Sequence, residues 1–345
     1  MSARSLISLA ALAPVLLGGV TLTGPAFAQD AAAERPTYGA RLEGFEYPFK
    51  TEMFNVSSQG QLLEMAFMDI AAENPNGRTV VLLHGKNFCG ATWEGQIKSL
   101  TQAGYRVIAP DQIGFCKSSK PQAYQFSFQQ LAENTHALLE ARGIEKATIV
   151  GHSMGGMLAT RYALMYPGET EKLVLVNPIG LEDWKAKGVP YQPIEAAFEG
   201  EKKTTFDSIK AYQTKFYYSG HWKPGYDKWV AMGAGMYEGE GGDQVAWDQA
   251  LTSDMVFTQP VVYEFGQLKV PTLLLIGLTD KTAPGANRAS PEIAGTLGDY
   301  TQLGKQAAEA IPGAKLVEFE GLGHAPQIQD PARFDKALLD GLTDG

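Results

Sequence analysis

From about residue 45 onward, short apolar runs alternate with stretches of helical character. Thr79-Val80-Val81-Leu82-Leu83 reads as a strand that ends at His84-Gly85. Arg106–Asp111, Ala147–Gly151, Lys172–Asn177, Pro271–Gly277 and Lys315–Phe319 repeat the pattern. Their hydrophobicity is continuous rather than alternating, as expected of strands covered on both faces. Helical patterns occupy Trp93–Ala103, Phe128–Arg142, Gly155–Met165, Gln302–Ala310 and Pro331–Leu342. This βαβα rhythm predicts an α/β fold whose mostly parallel sheet carries helices on both sides. Ahead of it, Phe45–Val56 and Leu62–Ile70 read as an antiparallel pair joined through Ser57-Ser58-Gln59-Gly60.

Residues 181–269 break the rhythm. They hold no clear parallel strand but many aromatics, among them Trp184, Phe206, Tyr212, Phe216, Tyr217, Tyr218, Trp222, Tyr226, Trp229 and Trp247. The interval reads as a helical insertion between two sheet strands. The first residues break it differently. Met1–Arg4 is a short positive start, Leu6–Leu22 is nearly unbroken in apolar and small residues, and Ala26-Phe27-Ala28 fits a small-x-small cleavage site. A removable export signal over residues 1–28 is expected, favoured over an uncut anchor by Pro14 and Gly18-Gly19. The remaining chain should be exported, periplasmic or secreted, with no stable membrane anchor.

Composition narrows the function classes. Hydrophobic residues are 44% and charged residues 19%, a globular balance that excludes a disordered chain or a membrane bundle. The formal charge is −9 and no Lys/Arg cluster stands out, which argues against nucleic acid or an anionic membrane surface as partner. No protein partner is implied. The two cysteines, Cys89 and Cys116, allow one disulfide in an oxidising compartment, or remain two buried thiols.

The chemistry concentrates at strand ends. Gly151-His152-Ser153-Met154-Gly155 is G-x-S-x-G between a strand and a helix, the context of a nucleophile elbow. Its glycines let backbones approach a strained turn that lifts the Ser153 hydroxyl. The Met154 amide, at a helix N-terminus, is left free to donate to an oxyanion. Serine needs a base, and the base a third group to orient it. Of the five histidines, His84 closes an early strand, His136 lies within a helix, His152 points elsewhere on the elbow and His221 sits in the insertion. His324, in Gly321-Leu322-Gly323-His324-Ala325-Pro326 after the last strand, is the candidate base. Asp280, in Gly277-Leu278-Thr279-Asp280, is the candidate acid. Three strand-end residues in the order Ser153…Asp280…His324 are far more specific than any one of them.

These segments resemble the α/β-hydrolase superfamily across nearly the whole chain after residue 28. His84-Gly85 followed by Trp93 resembles its oxyanion loop. Asp111-Gln112-Ile113-Gly114-Phe115-Cys116-Lys117-Ser118-Ser119-Lys120-Pro121 resembles its D-x-x-G-x-G-x-S-x-x-P loop, with Cys116 in place of the second glycine. Gly323-His324 with Pro326 and Pro331 resembles its histidine segment. The resemblance implies an α/β-hydrolase fold with a core over 29–180 and 270–345 and a helical cap over 181–269. It implies Lys86 as the second oxyanion donor, with Asn87 as its rival, and places Cys89 and Cys116 on the loops of neighbouring strands, where they could bond. Lys281–Tyr300, after the acid, either folds over the site entrance or is a surface insertion.

A serine at the elbow disfavours the aspartate chemistry of dehalogenases and epoxide hydrolases. Acyl transfer to water remains, with no cofactor required and no Cys/His metal spacing present. The expected substrate is a small to medium, partly hydrophobic carboxylic ester, lactone or thioester. Carbon–carbon bond hydrolysis by the same triad and a non-catalytic ligand-binding homologue are the alternatives; an exported peptidase is disfavoured for want of an anionic anchor.

Overall fold

Eight strands form one sheet in the computed structural model, which describes residues 35–343. In chain order they are β1 Thr51–Ser58, β2 Gln61–Ile70, β3 Thr79–Leu83, β4 Arg106–Pro110, β5 Ala147–His152, β6 Thr170–Val176, β7 Thr272–Gly277 and β8 Lys315–Phe319. Their spatial order is β1-β2-β4-β3-β5-β6-β7-β8. The β1–β2 and β2–β4 pairs are antiparallel and all later pairs are parallel. Every residue of β3, β5 and β7 is buried, which is why these runs are apolar throughout.

The helices are α1 Glu94–Gln102, α2 Phe128–Ala141, α3 Met154–Met165, α4 Ile194–Glu201, α5 Phe206–Phe216, α6 Asp227–Glu238, α7 Gly242–Thr258, α8 Pro291–Ala294, α9 Tyr300–Ala310, α10 Pro326–Gln329 and α11 Pro331–Thr343. Alternate strand residues point to opposite faces and feed two separate cores. Val81, Leu83, Ile149 and Leu175 pack with Leu131 and Leu138 of α2 and Leu158 of α3. Val80, Leu82, Val150 and Val174 pack with Ile97 of α1 and Phe334 and Leu338 of α11. Helices α4–α7 lie in the connection between β6 and β7 and carry the expected insertion.

The first hairpin departs from the sequence expectation. β1 starts at Thr51, not Phe45, and Gln59-Gly60 alone make the turn, both with positive φ (51° and 73°). Pro48 withholds an amide from any strand, and Tyr47 is drawn away to donate its hydroxyl to Asp111 Oδ2 at 2.6 Å. Ser58 remains in the strand, hydrogen-bonded to Tyr124 Oη at 2.7 Å. The export-signal segment 1–28 lies outside the described residues. Among those described, no helix is long and apolar enough to cross a membrane.

Chain order reverses around β3, which has β4 on one side and β5 on the other. In open parallel sheets the crevice at the carboxyl ends of such strands is where ligands collect. The loops after β3 and β5 are those that carry Lys86 and Ser153.

Candidate active site

Ser153 joins β5 to α3 with φ 57° and ψ −121°, a conformation that non-glycine residues rarely hold. The turn is tight because its flanking residues lack side chains. A Cβ on Gly151 would lie 2.0 Å from the Gly155 carbonyl oxygen, and one on Gly155 would lie 2.3 Å from that of Leu83. Met154 is the first residue of α3, so its amide has no intrahelical acceptor and adds to the positive end of the helix.

The three strand-end residues converge. The Ser153 hydroxyl donates to His324 Nε2 at 2.8 Å, and His324 Nδ1 donates to Asp280 Oδ2 at 2.6 Å. The His324 and Asp280 side chains are wholly buried, and Ser153 is 4% exposed. The Asp280 carboxylate is held on both oxygens. Oδ1 accepts the Thr282 amide at 2.7 Å, and Oδ2 also accepts Asn177 Nδ2 at 3.0 Å. Asn177, just past β6 with φ 34°, further accepts the Gly277 amide at 2.8 Å and donates to the Gly277 carbonyl at 3.2 Å. It clamps the ends of β6 and β7 around the acid.

His152 does not point away from the site. Its Nε2–H donates to the backbone carbonyl of His324 at 2.7 Å, and its ring stacks on Phe88. Burial, reinforced by the nearby His324, holds its pKa well below the ordinary range, so the ring is a neutral Nε2–H tautomer. His84 is also buried and lowered by desolvation. Its Nε2 accepts the Gln112 amide at 3.0 Å while Nδ1 donates to the Gly85 carbonyl at 2.9 Å. His84 thus fixes the loop after β3. His136 lies on α2, stacked on Tyr166 beside Glu169, and His221 is exposed, so neither belongs to the site.

The loop after β3 runs against the nucleophile: a Cβ on Gly85 would come within 2.9 Å of Ser153 Cβ. Its turn is closed by the Phe88 amide donating to the Gly85 carbonyl at 3.1 Å. That bond uses neither the Lys86 nor the Asn87 amide. The side chains of both reach the insertion instead. Lys86 Nζ donates to Glu201 Oε1 of α4 at 2.9 Å, and Asn87 Nδ2 donates to Tyr217 Oη at 2.9 Å. Tyr237 of α6 donates to the other Glu201 oxygen at 2.7 Å. The Tyr217 ring lies 4.6 Å from that of His324. Burial keeps the Tyr217 hydroxyl well above its usual pKa and therefore protonated.

Cys89 and Cys116 are bonded to each other, tying the loop after β3 to the loop after β4. Cys116 sits at φ 48°, which accounts for the glycine of the family pattern at this place. With Asp111 the two sulfurs form a group of metal-ligand type. The sulfurs are spent in the disulfide, however, and Asp111 is occupied by Tyr47 and by the amides of Gly90 and Lys117.

Two cavities meet above this loop. One, of about 230 Å³, is walled by Phe88, Phe115, Ile209, Met232, Met236 and the disulfide. The other, of about 290 Å³, is walled in part by Tyr191, Ser253, Asp254, Phe257 and Arg288. Both touch Lys86, Asn87, Glu201 and Tyr212, and neither is lined by Ser153 itself. Ile179, on the second cavity, donates its amide to the Ser153 carbonyl at 3.2 Å, which ties that cavity's wall to the nucleophile turn. Pro284, Gly285 and Arg288 place part of the 281–300 segment in that cavity's wall. Some insertion aromatics pack on one another instead: Tyr218 and Tyr226 stack at 3.8 Å, with Trp222 edge-on to both.

Asn177, the His152–His324 bond and the Lys86–Glu201 pair were not found in the sequence. A polar residue closing the apolar run 172–176 is the one signal that marks Asn177. The other contacts span 115 and 172 positions and have no local signature.

Comparison with known proteins bears on the whole arrangement. Residues 78–222 match the family described as the alpha/beta hydrolase fold. A probable hydrolytic enzyme of Pseudomonas aeruginosa PAO1, solved as a crystal structure, is 59% identical to this chain, with a TM-score of 0.89. The match covers 90% of this chain and 99% of that one. A 2-hydroxy-6-oxononadienedioate/2-hydroxy-6-oxononatrienedioate hydrolase of Comamonas testosteroni is 26% identical over 279 residues, 78% of this chain and 89% of the relative. Lipase 3 of Moraxella sp. (strain TA144) is 29% identical over 290 residues, 79% and 81% of the two chains.

Proposed function

The chain belongs to the α/β-hydrolase superfamily and is a hydrolase of that fold, and from this premise we propose that it is an exported serine esterase acting through an acyl-enzyme on Ser153. The observation that carries the proposal is the buried chain Ser153 Oγ–His324 Nε2, His324 Nδ1–Asp280 Oδ2, with the serine held at positive φ. In this reading His324 takes the hydroxyl proton at Nε2 as Ser153 Oγ bonds to the substrate carbonyl carbon. Asp280 stabilises the resulting imidazolium and fixes the ring's orientation. The Met154 and Lys86 amides receive the developing oxyanion, with Asn87 the alternative to Lys86. His324 then returns the proton to the departing alcohol. Water, deprotonated by the same nitrogen, attacks the acyl-enzyme, releases the acid and restores Ser153.

Helices α4–α7 act as a cap, and the substrate spans the two cavities with its scissile bond at their junction. Their mixed, largely apolar walls suit a small to medium, partly hydrophobic ester, lactone or thioester. The N-terminal segment directs export. Two relatives are named as hydrolases of 2-hydroxy-6-oxo dioates and of a 2-hydroxy-6-oxo dienoate, substrates joined by carbon–carbon bonds rather than by an ester linkage. That similarity supports a second reading, hydrolysis of a carbon–carbon bond with the same three residues. Turnover of p-nitrophenyl esters from acetyl to dodecanoyl, by the wild-type chain and by Ser153→Ala, tests the first reading. It expects a preferred chain length and a loss of several orders of magnitude in the variant. Inert wild-type protein that cleaves a vinylogous diketone would favour the second.

A further inference from the structure

The cavity of about 230 Å³ carries two lysines on its apolar wall, Lys86 from the loop after β3 and Lys120 from the loop after β4. Each is matched by a carboxylate from an inserted helix. Lys86 is paired with Glu201 of α4, and both side chains are about one-fifth exposed. Lys120 donates to the carbonyls of Cys116 at 2.6 Å and Ser118 at 3.1 Å, and the charge that acts on it most is that of Asp248 of α7. Asp248 is wholly buried. Gln244 serves its Oδ1 at 3.1 Å, and its Oδ2 has no hydrogen-bond partner. Burial pushes Lys120 down to about 7 and Asp248 up to about 8.

The lining is therefore charge-compensated at Lys86, with the cation on a core loop and the anion on the insertion. Asp248 does not itself line the cavity. We infer that Glu201 is a specificity-determining residue that reserves this cavity for an uncharged substrate group. The inference rests on the ester reading and deepens it by naming the substrate class. A carboxylate-bearing group entering here would meet Glu201 as a like charge in a poorly solvated space. It could be held by Lys86 only by displacing Glu201, which would then keep its charge without its cation. A neutral apolar group leaves the pair intact. Removing the acid frees Lys86 and should turn the cavity toward anions.

Two matched substrate pairs test this on whichever side of the scissile bond the cavity lies: p-nitrophenyl hexanoate against mono-p-nitrophenyl adipate, and phenyl acetate against 4-carboxyphenyl acetate. The readout is the neutral-to-anionic ratio of kcat/KM. In the wild-type chain, at least one pair should favour the neutral member by about tenfold or more. In Glu201→Gln, where the amide can still reach Tyr237 and Lys86, that ratio should fall by about tenfold, and Glu201→Ala should move it the same way. A ratio near one in the wild-type chain, or one unmoved in both folded variants, overturns the inference and leaves the ester reading standing. Absence of turnover on all four esters would instead remove the ester reading, and this inference with it.

Discussion

Replacing Asn177 by Ala isolates a residue that touches neither cavity yet holds the acid of the proposed triad. Its side chain is wholly buried and makes three hydrogen bonds, one to Asp280 Oδ2 and two to the Gly277 backbone. At a net value of about 1 kcal/mol each, their loss costs about 3 kcal/mol. Alanine is also less tolerant of φ 34° than asparagine, which adds to the loss and does not offset it. Asp280 keeps the Thr282 amide and His324 but is no longer pinned in angle. Slack in a catalytic constellation costs up to about 100-fold in rate, and we expect kcat to fall by about 10- to 100-fold. KM for p-nitrophenyl butyrate should stay within about threefold, because the change leaves substrate contacts intact. Urea unfolding gives the stability change and steady-state kinetics gives the kcat–KM split. A variant with kcat within twofold of wild type, or one whose defect lies in KM, would refute the positioning role.

Two further predictions concern neighbouring features. His84 and His152 are both neutral in the fold with lowered pKa values, so the unfolded chain binds more protons as pH falls below about 6.5. Stability should therefore be complete above that pH and fall below it, by up to about 1.4 kcal/mol per pH unit for each ring, until the folded-state pKa is reached. His152→Asn should lower the slope of unfolding free energy between pH 6.5 and 5.5 by about one proton's worth; an unchanged slope would contradict the neutral assignment. The Cys89–Cys116 bond closes a separation of 27 residues, for which chain entropy gives about 3.5 kcal/mol. Reduction followed by thiol alkylation should lower the unfolding free energy by a comparable amount, and no change would show that the bond does not stabilise the fold.

Legibility in the sequence followed physical range. Ser153, Asp280 and His324 each follow a run that reads as a strand, at once or within a few residues, so the strand pattern alone puts all three at the carboxyl ends of strands. The family resemblance put Cys89 and Cys116 on loops of adjacent strands, but only the three-dimensional fold shows that they are bonded. The start of the first hairpin differs because Phe45, Tyr47 and Phe49 alternate with other residues as in a strand, while Tyr47 spends its hydroxyl on Asp111 instead. His152 was misread because nothing local says that its ring turns toward a carbonyl 172 residues away. The pairing of Lys86 with Glu201 was equally hidden, since it depends on how α4 settles over the loop after β3.

The central claim is a covalent intermediate on one hydroxyl. The most direct test mixes the protein with excess p-nitrophenyl ester, quenches in acid within the first turnover and maps the added acyl mass by peptide mass spectrometry. The account predicts a single acyl group on the peptide that carries Gly151-His152-Ser153-Met154-Gly155, assigned to Ser153 and absent from Ser153→Ala. Acyl mass on another residue, or undiminished turnover by Ser153→Ala, would contradict it.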